Sequence, residues 1–123
     1  MKPTSLKSMS VTQLVDRFVE ICVAQGEALL DENLAKFSRL FAQMRAVVEE
    51  LKARPGDQRR ALFPLYEHPN LQVRLKAAKN TLAVAPDDAR DVLRIIAESG
   101  EHPQAMEAGM SLWNLENGTF KPT

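Results

Sequence analysis

The stretch Ala61 to Leu82, ALFPLYEHPNLQVRLKAAKNTL, constrains the fold of this chain more than any other. It reads as two short antiparallel helices hinged at His68-Pro69-Asn70. The first carries Pro64 in its interior, and the second opens on Val73-Arg74 and continues through Ala77-Ala78. An interior proline removes one backbone donor and collides with the preceding turn, so a kink is expected in the first helix. Two small residues side by side in the second let a neighbouring helix approach closely. Such a hairpin buries its apolar face only by stacking on another, and stacked hairpins commonly present a surface to another macromolecule.

At 123 residues the chain is expected to form a single domain, residues 1–123, that buries roughly two thirds of the surface its unfolded form exposes. Hydrophobic residues at 45% and charged residues at 26% are globular values and exclude the disordered class. The single cysteine, Cys22, excludes an internal disulfide framework and fits a reducing compartment. No apolar run approaches the roughly 18 residues of a spanning helix, so no membrane partner is expected. The opening MKPTSLKSMS has lysines without a following apolar segment, unlike a secretory signal. Residues 1–9 are expected to be a disordered leader, Met9 is an alternative natural start to Met1, and a cytoplasmic location follows.

Six helices are predicted. Ser10 and Gln13 form a capping-box pattern ahead of Val11, Leu14, Val15, Phe18, Ile21 and Cys22 at helical spacing. A break falls somewhere between Gly26 and Asn33. Leu34, Phe37, Phe41, Met44, Val48 and Leu51 then step by threes and fours, widened by Leu40 and Val47. Under three heptads with so wide a stripe suits packing in a bundle better than an isolated coiled coil. Residues 10–54 therefore read as an antiparallel helix pair, closed by Lys52, Arg54 and Pro55-Gly56. The third helix is expected to start near Asp57, as N-cap, and to carry Leu62, Phe63, Leu65 and Tyr66. The fourth is expected from Leu71 to Val84, with Leu71, Leu75, Ala78 and Leu82 inward and Gln72, Lys76, Lys79 and Asn80 on a wet arc. Pro86 opens the fifth, whose Asp87 and Asp88 suit a helix N-terminus. The sixth follows His102-Pro103 and is expected to bury Met106, Met110 and Trp113 before Asn117-Gly118 ends it.

Glu67-His68-Pro69 returns 34 residues later as Glu101-His102-Pro103, each time between two predicted helices. A period of that length built of helix–turn–helix units is characteristic of helical solenoids. Leu62-Phe63-Pro64-Leu65, His68-Pro69, Val73-Arg74 and Ala77-Ala78 together resemble a HEAT-type repeat. The likeness covers about twenty residues well, and it departs from the family at His68, where HEAT repeats usually carry an aspartate that pairs with the arginine at the position of Arg74. The whole chain also resembles an uncharacterised bacterial family of HEAT-like domains of unknown function. The resemblance implies an all-α fold of about six helices. The N-terminal pair would be followed by two HEAT-like hairpins over residues 57–118, forming a short α-solenoid or right-angled helical bundle.

No catalytic or cofactor constellation stands out. Cys22, His68 and His102 lie far apart, whereas zinc needs about four clustered ligands. Cys22 sits on an apolar helix face, where thiols are usually inert packing. Glu49-Glu50 and Asp87-Asp88 are neighbours along helices, better explained as solvated surface and dipole complements. Neither cofactor nor metal is expected, and the chain reads as no enzyme. Charge supplies the one functional hint. Residues 52 to 79 hold seven bases (Lys52, Arg54, Arg59, Arg60, Arg74, Lys76, Lys79) against Asp57 and Glu67, and residues 80 to 123 hold seven acids against three bases. The plainest reading is charge coating exposed helix faces. Beyond it, the chain reads as a protein-interaction module of adaptor or toxin-immunity type, docking an acidic partner on Arg59, Arg60, Gln72, Lys76, Lys79 and Asn80. Nucleic acid bound by the same basic segment ranks behind protein, because the net charge is zero and the aromatics are expected in the core. Self-association is compatible with the same features.

Overall fold

The computed structural model describes residues 5–123. Among them are five α-helices: α1 Val11–Leu30, α2 Leu34–Ala53, α3 Leu71–Lys79, α4 Pro86–Glu98 and α5 Gln104–Glu116. Leu6–Ser8 and Gln58–Glu67 are 3-10 helix, and no residue described is in a strand. The all-α expectation holds, the longer 3-10 segment taking the place of the predicted third helix. The chain divides into two compact units, one ending at Ala61 and the other running from Leu62 to Thr123.

In the first unit, α1 begins with the expected capping box. The Gln13 amide nitrogen donates to Ser10 Oγ at 3.1 Å, and the Ser10 N–H donates to Gln13 Oε1 at 2.8 Å. Leu14, Phe18, Ile21, Cys22 and Ala28 are buried along one side. Gln25 is buried among them and donates from Nε2 to Met44 Sδ at 3.6 Å. The break lies at Asp31–Asn33. There the Glu32 N–H bonds the Leu29 carbonyl and the Asn33 N–H bonds the Ala28 carbonyl, a Schellman closure with Glu32 at φ 54°. Asn33 then caps α2, its Oδ1 accepting from the Lys36 N–H at 3.1 Å. So short a turn sends α2 back antiparallel to α1, as expected. Met44, Val47, Val48 and Leu51 are buried, but Leu34 and Phe41, expected in the same stripe, are exposed. The physical reason is the partner: towards the turn α1 offers only Ala28 as a buried residue, and Leu30 itself is exposed. Of the expected leader, the first four residues lie outside the described ones. Leu6–Ser8 make one 3-10 turn whose Leu6 carbonyl accepts from Arg54 Nη2 at 3.0 Å, and Arg54 Nε is held by Glu50 at 3.0 Å.

Pro64 predicts a kinked α-helix; instead the ten residues Gln58–Glu67 are 3-10 throughout. A 3-10 helix repeats every three residues, so side chains at i and i+3 eclipse. Arg59, Leu62 and Leu65 follow that step, and all three are buried. Threefold spacing accommodates Pro64 at the exposed edge, where a regular α-helix would have met its ring with a carbonyl.

In the second unit, Asn70 Oδ1 caps α3 by accepting from the Val73 N–H at 3.1 Å, and His68 Nδ1 accepts from the Asn70 N–H at 3.0 Å. The helix stops at Lys79 rather than Val84 because side chains bond its last carbonyls. Asn80 Nδ2 donates to the Lys76 carbonyl and Thr81 Oγ1 to the Ala77 carbonyl, both at 2.8 Å. The Tyr66 hydroxyl bonds Thr81 Oγ1 in turn, tying the 3-10 segment to the end of α3. Leu75, Ala78, Leu82, Ala89, Leu93, Ile96 and Ala108 form the core, edged by Tyr66, Leu71, Val92, Leu112 and Leu115. Helix α3 packs against both α4 and α5. That double cover corrects the wet arc expected on α3: Gln72 is 2% exposed and Lys76 3%. The corresponding correction on α5 runs the other way. Met106, Met110 and Trp113, expected inside, are 65%, 55% and 63% exposed. The small residues Ala105 and Ala108 take the inner positions, because close approach to α3 and α4 leaves no room for long side chains there.

Candidate functional site

The six residues expected to form a docking surface are not all open: Arg59, Gln72 and Lys76 are buried. Arg59 is buried and paired with Asp57 in a two-point contact, Nε to Oδ1 at 2.9 Å and Nη2 to Oδ2 at 2.6 Å. Those hydrogen bonds hold the Asp57 carboxyl below its usual value. With a left-handed φ of 52° at Asp57, its carboxylate lies back on the Arg59 guanidinium. Arg60 is exposed. Gln72, Lys76 and Lys79 lie on α3 and meet α5, and Asn80 follows as the cap of that helix. Gln104 Nε2 donates to Gln72 Oε1 at 3.0 Å. Glu107 Oε2 takes both ammonium groups, Lys76 Nζ at 2.6 Å and Lys79 Nζ at 3.0 Å. Burial by itself pushes the Glu107 carboxyl up, but the two lysines, by charge and hydrogen bond, bring it below the ordinary value. Asn80 closes α3 on the Lys76 carbonyl. The polar residues of α3 are therefore a seam inside the second unit, already matched by Gln104 and Glu107.

That seam fixes how α5 is rotated. At 100° per residue, Gln104, Glu107 and Ser111 share one arc facing α3. Ala105, Ala108, Leu112 and Leu115 share the next, which joins the core. The arc left over carries Met106, Met110 and Trp113, spaced by four and three residues, all within about 60° of one another. At 1.5 Å per residue they form an exposed apolar stripe about 10 Å long. Gly109 lies beside it, with nothing within 4 Å of where a Cβ would stand, so the flank is open. Scattered exposed apolar residues are ordinary, whereas two methionines and a tryptophan in one line are a patch. Charge along this part of the chain is of one sign. Residues 95–120 contain Glu98, Glu101, Glu107 and Glu116 and no lysine or arginine.

Sequence reasoning missed this stripe by assigning Met106, Met110 and Trp113 to the core. The available signal was a second apolar arc on the same helix, Ala105, Ala108, Leu112 and Leu115, at equally helical spacing. A helix with two apolar arcs packed on two neighbours buries the one whose side chains fit the gap. The polar residues Gln104 and Glu107, with lysines available on α3, then decide which.

Among the described residues no three His, Cys, Asp or Glu side chains group as a metal site would. Cys22 is buried in the first unit. No helix among them is long and apolar enough to cross a membrane. Compared with known proteins, residues 12–116 match a family described as a domain of unknown function, DUF2019. The chain is also similar to a solved structure, the crystal structure of the protein RPA1889 from Rhodopseudomonas palustris CGA009. The two are 50% identical over 98% of this chain and 100% of that one, with a TM-score of 0.94. No curated protein matches it.

Proposed function

The chain belongs to the DUF2019 family, and from the outward face of α5 we propose that it is a non-enzymatic module that binds another protein. The observation that carries this reading is the line of Met106, Met110 and Trp113 at 65%, 55% and 63% exposure on a helix whose other arcs pack on α3 and α4. Tryptophan is enriched among the residues that dominate binding energy at protein interfaces. Methionine adapts its shape to a partner at little cost. Adaptors and immunity proteins that neutralise a toxin both work through faces of this kind. The HEAT-like likeness around Pro64 and Val73-Arg74 favours the same class, since helical hairpins typically bind through a rigid surface.

The test begins with Met110→Glu, which places a charge mid-stripe and touches no buried group. Wild-type and variant chains are used to capture proteins from the source cell, and any protein recovered by the first alone is purified and titrated. Direct binding that buries Trp113, together with loss of affinity in the variant at unchanged melting temperature, is the expected result. A purified candidate that binds both chains equally would remove α5 from the interface.

A further inference from the structure

We propose that the occupant of the α5 face is an amphipathic helix of another protein, carrying lysine or arginine beside its apolar stripe. This rests on the docking role proposed above and adds the chemistry of the partner. Three observations lead to it. The stripe runs along a helix axis for about 10 Å, two turns, which is the footprint that one apolar face of a second helix covers with residues spaced three and four apart. No strand lies among the described residues, so there is no sheet edge there to recruit an extended segment. The exposed charges next to it along the chain are acidic: Glu98, Glu101 and Glu116 are exposed, and no lysine or arginine occurs between residues 95 and 120.

Glu107 does not contribute to that field, because Lys76 and Lys79 neutralise it on the inner side. Glu101, ahead of α5, and Glu116, in its last turn, therefore bracket the stripe at its two ends. A cationic residue at each end of the incoming helix meets a carboxylate, and an acidic one meets repulsion. The same field works against two other occupants. A second copy docking by this face would set Glu101 and Glu116 against their own counterparts or against one another. An anionic lipid surface would face the same carboxylates.

Trp113 is the chain's single tryptophan and lies in the stripe, so its emission reports directly on coverage of the face. The full chain is titrated with two synthetic helical peptides of about four turns. They share one leucine stripe and differ only in carrying lysine or glutamate on its flanks. The lysine peptide is expected to move Trp113 emission to shorter wavelength and to bind about tenfold more tightly than the glutamate peptide at low salt, the advantage shrinking as salt is added. The doubly substituted Glu101→Lys, Glu116→Lys chain is expected to lose or invert that preference. Met110→Glu should abolish the shift with both peptides.

Equal or tighter binding of the glutamate peptide overturns the basic partner and leaves the docking face standing. No shift with either peptide overturns both. A shift that grows with protein concentration in the absence of peptide, accompanied by a dimer in sedimentation, assigns the face to a second copy and overturns the proposal. A shift produced by lipid vesicles and by neither peptide assigns it to a membrane and does the same.

Discussion

Lys76, 3% exposed, pairs with a carboxylate oxygen of Glu107, which it shares with Lys79. On an exposed arc Lys76→Ala would cost almost nothing. Here it removes a buried stem and leaves Glu107 with one cation, so a loss of about 2 kcal/mol is expected in urea melts. Lys76→Met, which keeps most of the stem, should lose less. The same carboxylate gives stability a pH dependence. Its folded value lies below the ordinary 4.5, so its contribution is fully present above that value and is lost as pH falls through the lower, folded one. The urea midpoint should therefore drop on acidification below 4.5, and Glu107→Gln should flatten part of that drop. Asp57, depressed by its hydrogen bonds to Arg59, acts in the same direction: its share is present above its ordinary value and is lost as pH falls through the lower, folded one. Glu32 offers the opposite opportunity. It occupies the left-handed position of a Schellman closure, where glycine carries no Cβ penalty, so Glu32→Gly should raise stability by up to about 1 kcal/mol. A lower midpoint for that variant would mean that the Glu32 side chain makes a compensating contact.

Each face of α5 makes a different prediction for substitution. Ala108 and, across from it on α3, Ala78 are fully buried where helices approach closely, so leucine at either should overpack and cost about 1–3 kcal/mol. Met110→Gln, outward, should stay within about 0.5 kcal/mol. Equal urea midpoints for Ala78→Leu and Met110→Gln would reverse the assignment of faces. The contrast explains what was legible in the sequence. Some helix ends were, because their caps are local: Ser10 with Gln13, Pro86, and the Asn117-Gly118 stop all act within one turn, whereas the end of α3 at Lys79 was not. The inner face of α3 was also, because Leu71, Leu75 and Ala78 repeat at helical spacing. The other side of α3 was not. Gln72 and Lys76 look like solvated residues until the Gln104 and Glu107 that satisfy them, some thirty positions away, are brought alongside. Nor was the 3-10 course of Gln58–Glu67, since Arg59 enters its buried row only through a salt bridge with Asp57. Burial of a polar residue depends on its partner, and pattern alone does not identify partners across a fold.

For the molecule as a whole, 16 bases balance 16 acids, and the basic middle that the sequence displays is largely spent internally. Arg54 is paired with Glu50, Arg59 with Asp57, and Lys76 and Lys79 with Glu107. Little cationic surface remains there to displace counterions from phosphate. Duplex DNA followed by fluorescence anisotropy should accordingly show no affinity with the steep salt dependence of a phosphate-binding protein; such a slope would restore the nucleic-acid reading. The first unit holds one further feature with a consequence for experiment. Cys22 is the only thiol in the chain, and it is wholly enclosed. An alkylating reagent reaches its sulfur only when the surrounding helices part, so the speed of labelling in native buffer clocks how often that unit breathes open. Because no other thiol competes, the mass of the intact chain is sufficient to read that clock.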